Sequence, residues 1–448
     1  YLIKRNLSCN PVEFLKRANP KPAFHETLLA DRTKGEAGQL TKNEVVLNNL
    51  VADFINWLLV EKLSVEDEHG HRVIPHELHN PVTRLSTSGL PAPTESVRSV
   101  LSIQYIKALR AMLAEGPTFR DWGWAQNALS GARHGGDWFV VDPALINPDD
   151  PDCVWRERPT SPYEQQVLNL PPSVVEMWSP VRAVALYIKL ELPLRTFQIR
   201  MLDSGESDTW RYVKGPDAGT FELNESPLAM GSAKRPCQRG VFHRSTNENG
   251  VGLFINTNKT ADINKAENAK GYVVPWAHET VLYWLGKLRD WQERYNPISA
   301  PTPWGDLEIK HFGTTPPHPA VLEARGTACF LFRDATAAKK ADRDKPLISD
   351  ALERIWYYLL AKLEQRCIDS KDTLDDGSPI QFVDPTTTKT PRTYYPLHSL
   401  RVSLISYLVL DQQLPLVVVS KLIAGHAGLL MTIYYTKCGH AYMKEVMD

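Results

Sequence analysis

The stretch "HSLRVSLISYLVLDQQLPLVVVSKLIAGHAGLLMTIYYTK", residues 398–437, sets a His, an Arg three residues later, a second His beside a Gly, and a pair of tyrosines into otherwise apolar helical sequence. Pro396 and Leu397 precede it, so His398 and Arg401 fall at i and i+3 on one face of a first helical turn. Free backbone N–H groups and the macrodipole favour an anion at such a place, and an imidazole and a guanidinium there suit a phosphate. "PLVVVSKLIAG" (415–425) reads as a second helix closed by Gly425 in the left-handed conformation, which turns the chain and presents His426. A third short helix, "LLMTIYYTK" (429–437), carries Thr432, Tyr434 and Tyr435.

The chain around this stretch is 448 residues long, enough for two or three domains, and its 43% hydrophobic and 23% charged composition is that of a globular protein. Six scattered cysteines form no CxxC pair and no dense framework, so neither a zinc site nor a disulfide scaffold is implied and a reducing cytoplasm is expected. The opening "YLIKRNLSCNPVEF" lacks the apolar core of a signal peptide, and a soluble protein that is not exported is the expectation. The net charge of −1 gives no whole-chain support to nucleic-acid binding, so charge has to be read locally. Acidic "NPDDPD" (147–152) and "DTLDDG" (372–377) contrast with "SAKRPCQRGVFHR" (232–244), which carries Lys234, Arg235, Arg239 and Arg244 with His243.

Apolar residues at helical spacing in "NEVVLNNLVADFINWLLVEKL" (Val46, Leu47, Leu50, Val51, Phe54, Ile55, Leu58, Leu59) predict an amphipathic helix over 43–63 with Asn43 as its cap. "NPVTRLSTSGLPAPTES" (80–96), dense in Pro, Ser, Thr and Gly, reads as a linker and divides a helical domain at 1–97 from a domain at 98–448. A helix is expected over 99–116, then an elaborated loop region to about residue 175. "GVGLFINTNKT" (250–260) and "GYVVPW" (271–276) alternate like the strands of a β-hairpin with a long tip. Helical patterns follow at 277–294 and 347–367, so the fold class is mainly α with a small antiparallel β-sheet (α+β).

Taken in order, "HSLR" (398–401), "IAGH" (423–426) and "TIYY" (432–435) resemble the C-terminal motifs of the tyrosine recombinase (phage integrase) family, where the nucleophilic Tyr stands nine residues after the second His. That spacing selects Tyr435 over Tyr434. Ala424 departs from the family's usual Leu. The resemblance asks for a first Arg at a turn between helices, and "ELPLRTFQIRML" (191–202) offers Arg195, with Gln198 where the family has an acid and Arg200 as a rival on the following helix. It also asks for a Lys on a β-hairpin, which "INTNKT" (255–260) supplies as Lys259. Insertions near 116–178, 204–248 and 298–345 separate these motifs. The implied fold is a recombinase catalytic domain behind a helical core-binding domain.

What the resemblance implies is cleavage and rejoining of DNA strands through a 3′-phosphotyrosyl link on a mobile element (integration or transposition), with double-stranded DNA and a tetramer of this chain as partners. The tail "TKCGHAYMKEVMD" after Tyr435 would exchange between protomers. Arg195 and Arg401 would offer planar, multidentate donors to the phosphate. A phenol ordinarily ionises near pH of about 10, so Tyr435 needs a proton acceptor, for which His398 is placed. Lys259 would protonate the leaving 5′ oxygen, and His426 would hydrogen-bond the phosphate. Arg200, Lys234, Arg235, Arg239, Arg244, Arg392 and Lys437 are the expected further DNA contacts. No cofactor or metal is called for, because the covalent link keeps the energy of the broken bond. The competing readings are a type IB topoisomerase-like enzyme and a catalytically silent DNA-binding protein on the same fold.

Overall fold

The structure is a computed structural model that describes residues 1–3, 5–30, 40, 42–68, 70–86, 99–130, 136–214, 219–244, 250–258, 264–374, 377–384, 392–426, 432–433 and 435–436. The chain divides into two compact units, Tyr1–Thr94 and Glu95–Asp448.

The first unit is built on α1 (Lys42–Glu61), which begins one residue ahead of Asn43, so that residue lies inside the first turn instead of capping it. Its buried stripe is Val45, Asn48, Ala52, Ile55 and Leu59, at alternating spacings of three and four, and it packs with Leu15, Leu78 and Val82. Val46, Leu47, Leu50 and Phe54, expected in that stripe, are exposed instead. The helix is apolar on two faces, and periodicity alone cannot say which one is covered. Asn48 sits in the buried stripe because its amide donates to the Thr83 carbonyl at 2.8 Å.

At the centre of the second unit is α3 (Val181–Glu191), which packs on α2 (Ile103–Leu113) and on four helices that follow it: α4 (Thr196–Arg200), α5 (Glu279–Tyr295), α6 (Glu353–Ser370) and α7 (Leu397–Ser406). Nine of the eleven α3 residues are buried, as "VRAVALYIKLE" with its nearly continuous apolar character requires. Pro193 ends it, because a proline disfavours helix in the residue before it. The region to residue 175 is more than loop. Strands β1 (Trp138–Val140), β2 (Trp155–Pro159) and β3 (Ser173–Trp178) form an antiparallel sheet in the order β1-β3-β2. Glu176 of β3 is buried because Arg156 and Arg158 of β2 both bind its carboxylate.

A second antiparallel sheet holds β4 (Phe242–Arg244), β5 (Val251–Ile255) and β6 (Tyr272–Val274), with Leu253 opposite both Phe242 and Val274. The expected hairpin thus has a third strand, drawn from the basic run at 232–244. Helix α7 continues through a π-helical turn at Tyr407–Asp411, and Leu416–Val418 runs into another at Val419–Ile423. No helix of the described residues is long and apolar enough to cross a membrane.

Arg200, at the end of α4, is buried and donates from Nη1 to the carbonyls of His311 (2.8 Å) and Leu347 (2.6 Å). It therefore cross-links the segment that follows α5 to α4, and its expected contact with DNA is corrected: a guanidinium buried to 2% exposure and bonded to two carbonyls does not reach a phosphate backbone. Arg200→Met should lower stability by about 1–3 kcal/mol, the cost of leaving buried acceptors unpaired. Lys234→Ala on the exposed surface should change it by less than about 0.5 kcal/mol. Thermal melting of both variants checks the contrast.

Candidate functional site

The turn that follows α3 organises the site. Leu192, Pro193 and Leu194 lead to Arg195, which stands at the N-cap of α4. The Arg195 backbone N–H donates to Gln198 Oε1 at 3.0 Å, and Gln198 Nε2 donates to the Thr257 carbonyl at 3.0 Å. Gln198 thereby ties the turn to the segment that follows β5. An amide can do this by donating, where a carboxylate could not. Asn256 in the same segment donates to the Met201 carbonyl at 2.6 Å.

Arg401 on α7 is fully buried. Its Nη1 donates to the Pro193 carbonyl, and its Nη2 donates to the Ala424 carbonyl at 2.9 Å and to His426 Nε2 at 2.7 Å. Since a guanidinium only donates, His426 Nε2 must carry the lone pair, which leaves the proton on Nδ1 for Thr432 Oγ1 at 2.8 Å. Burial, then the charges of Arg401 and Arg195, push His426 down to about 3, so this imidazole is neutral at any physiological pH. Both of its nitrogens are engaged within the protein, whereas the sequence reading assigned it to the phosphate.

The Tyr435 ring lies against His426 in a stacked arrangement (5.4 Å between centroids, 18° between planes) and edge-on to His398 (5.6 Å, 60°). The Arg401 guanidinium is 5.6 Å from the same ring. Burial, then the Arg195 charge, lowers Arg401 to about 10, against the opposing pull of Tyr272 and Tyr435. Among the described residues, neither Arg195 nor Arg401 has a carboxylate partner, and Arg195 Nη1 and Arg401 Nε are buried donors with no acceptor. Two adjacent guanidinium groups with unpaired N–H donors describe a site made for an anion.

Arg195, His398, Arg401, His426 and Tyr435 are thus brought together. Lys259, Tyr434 and Lys437 lie outside the described residues. Of the expected DNA contacts, Lys234 is exposed on a short turn between Gly231–Ser232 and Arg235–Pro236, and Arg235 is exposed at the start of the second of these strands. Arg244 is exposed over the Trp210 ring, Arg239 is half-buried, and Arg392 is exposed. Among the described residues no cluster of His, Cys, Asp or Glu is placed to hold a metal ion.

Two residues escaped the sequence reading: Tyr272 of β6 reaches the Ile423 carbonyl from its hydroxyl at 3.4 Å, and Lys189 donates to the Leu194 carbonyl at 2.8 Å. Of these only Lys189 left a trace in the sequence, as a charge inside an otherwise apolar helix.

Residues 1–305 match the model of the family described as "Putative integrase", two thirds of the chain. The protein belongs to this integrase family, and membership implies DNA as its partner and a part in DNA integration or recombination. The matched region includes Arg195 and Lys259 and ends ahead of His398–Tyr435. Comparison with curated proteins and with solved structures found no match.

Gly425 has φ of +61°, and a Cβ there would come within 2.4 Å of the Tyr272 ring. Gly425→Ala should therefore cost about 1–3 kcal/mol or more and shift His426 off Arg401. Gly286→Ala, inside α5 with open space around it, should stabilise by about 0.5–1 kcal/mol. Denaturant unfolding of the two variants checks the opposite signs.

Proposed function

We propose that the protein is a tyrosine site-specific recombinase that cuts and rejoins DNA through a 3′-phosphotyrosyl intermediate, with Tyr435 as nucleophile. The observation that carries the reading is the pair of unpaired buried donors, Arg195 Nη1 and Arg401 Nε, with the Arg401 guanidinium 5.6 Å from the Tyr435 ring. Membership of the integrase family supports it independently, from the other end of the chain.

In this mechanism the scissile phosphate settles against Arg195 and Arg401, and their planar donors stabilise the charge that builds on its non-bridging oxygens. The Tyr435 phenol attacks phosphorus, and its proton passes to His398, whose ring already stands edge-on to it. The 5′ oxygen leaves with a proton from Lys259. His426 acts through Arg401. As a neutral acceptor it orients Nη2 of the guanidinium, which is how a residue with both nitrogens engaged still governs phosphate binding. A second strand's 5′ hydroxyl then reverses the attack, with no energy source beyond the phosphotyrosyl bond. Assembly of the chain on two paired DNA sites, with exchange of the tail beyond Tyr435, completes the proposal.

On nicked suicide DNA, the parent should give a covalent adduct, while Tyr435→Phe should bind DNA and give none. Loss of the adduct in Tyr434→Phe with its retention in Tyr435→Phe would move the nucleophile by one residue, and no adduct in the parent would leave a DNA-binding protein. Lys259→Ala should slow cleavage of ordinary DNA by about 10²–10⁴-fold yet cut a 5′-phosphorothiolate at nearly the parent rate, since sulfur departs without a proton. Arg401→Ala should be impaired on both substrates, and the two rates measured side by side separate the proton donor from the phosphate clamp.

A further inference from the structure

Among the described residues of this region, Lys189 is the one buried charge that the mechanism above leaves without a task. It lies on α3, is 1% exposed, and donates from Nζ to the Leu194 carbonyl at 2.8 Å. The residue beyond Leu194 is Arg195, and the residue before it is Pro193, whose carbonyl receives Arg401. A three-residue turn therefore takes one bond from Lys189 and one from Arg401, and delivers Arg195. All three cations of the cluster meet on it.

The charged groups acting on Lys189 are Arg195, at the start of α4, and Arg401, on α7. Among the described residues no carboxylate offsets them. Tyr272, His398, His426 and Tyr435 are the other titratable groups of the site among the described residues. An ammonium in such a place is short of solvent, has a single carbonyl as acceptor, and is repelled by two guanidiniums. Burial first, and then those two charges, bring Lys189 down to about 7. The same amine keeps its bond to Leu194 in either protonation state, because a neutral amine still donates.

Resting on the phosphate-gripping role given above to Arg195 and Arg401, we propose that Lys189 is a positioning residue and a third, proton-switchable cation of the site: it holds the Pro193–Arg195 turn through Leu194 and takes up a proton from solvent when an anion settles between the two arginines. The balance is simple. The Nζ lone pair accepts one proton, no other bond forms or breaks, and the incoming negative charge is met by one more positive charge behind the turn. Linkage gives the sign. The anion favours the protonated amine, so anion affinity is fully developed below the free-state titration, falls as pH rises through the range between the free and bound values, and levels off above it.

Inorganic sulfate, whose charge is constant over this range, tests the inference without DNA. It is titrated into the full chain by calorimetry from about pH 6 to about pH 9, in buffers of different ionisation heat. The parent should take up part of a proton per sulfate above neutrality, with affinity falling by up to about tenfold per pH unit there. Lys189→Met should show a flat affinity matching the parent's high-pH limb, and Lys189→Arg, which cannot lose its proton, a flat affinity near the low-pH limb. Absence of saturable sulfate binding or of proton uptake in the parent overturns the inference whatever the variants do. So does uptake that survives in Lys189→Met. The two proposals fail separately: Lys189-linked uptake without a DNA adduct removes the recombinase reading and keeps this one, and an adduct-forming chain without such uptake does the reverse.

Discussion

A fully buried arginine has to find acceptors for its donors inside the protein, and Arg401 finds them in the Pro193 carbonyl, the Ala424 carbonyl and a neutral imidazole instead of a carboxylate. Taking that charge out of water costs several kcal/mol, and carbonyl dipoles offset only part of it. The remaining demand for negative charge is what makes the site receptive to an anion. It also dictates where the neighbours can stand. His426 must be neutral with its lone pair toward Arg401, so Thr432 must lie on its other side, and the helical turn that carries Thr432 also carries Tyr435. The position of Tyr435 follows from the guanidinium's hydrogen bonding.

The same constraint explains the backbone around the site. Ala424 can offer its carbonyl to Arg401 because the chain turns at Gly425 with positive φ, and the Tyr272 ring fills the space that a Cβ would need. Asn258 donates to the Gly425 carbonyl at 3.1 Å, and Gln198 holds the Thr257 carbonyl, so the β5 end is clamped both to this turn and to the turn bearing Arg195. The small sheet is in effect a brace between two helical turns far apart in sequence. Gln198 supplies a donor and brings no negative charge near the arginine pair.

The helices were readable where their apolar spacing is local: α1, α2, α5 and α6 stand within a few residues of where periodicity puts them, whereas the central α3 was not anticipated. The C-terminal set was readable for a different reason. Its residues are close in sequence, so fixed spacings of three and nine express fixed geometry. Other elements were not readable. β1, β2 and β3 lie in a stretch rich in Pro and Gly whose strands are short and stabilised by cross-strand pairs such as Arg156 and Arg158 with Glu176, and a linear pattern does not carry such pairs. Arg200 looked like a surface base because nothing local distinguishes it from Arg195, five residues earlier. Its burial is decided by His311 and Leu347, more than a hundred residues away.

By itself the sequence determined the helical framework, the hairpin ahead of Lys259, and the order of Arg195, His398, Arg401, His426 and Tyr435 along the chain. These rest on periodicity, turn chemistry and short-range spacing, which act over a few residues. Only the tertiary structure decided that Arg401 is buried with no counter-charge among the described residues, that His426 is a neutral acceptor, and that Lys189 holds the turn between the arginines. Protonation and hydrogen-bond roles depend on solvent exclusion and on carbonyls supplied by distant segments, and neither exists until the chain has folded.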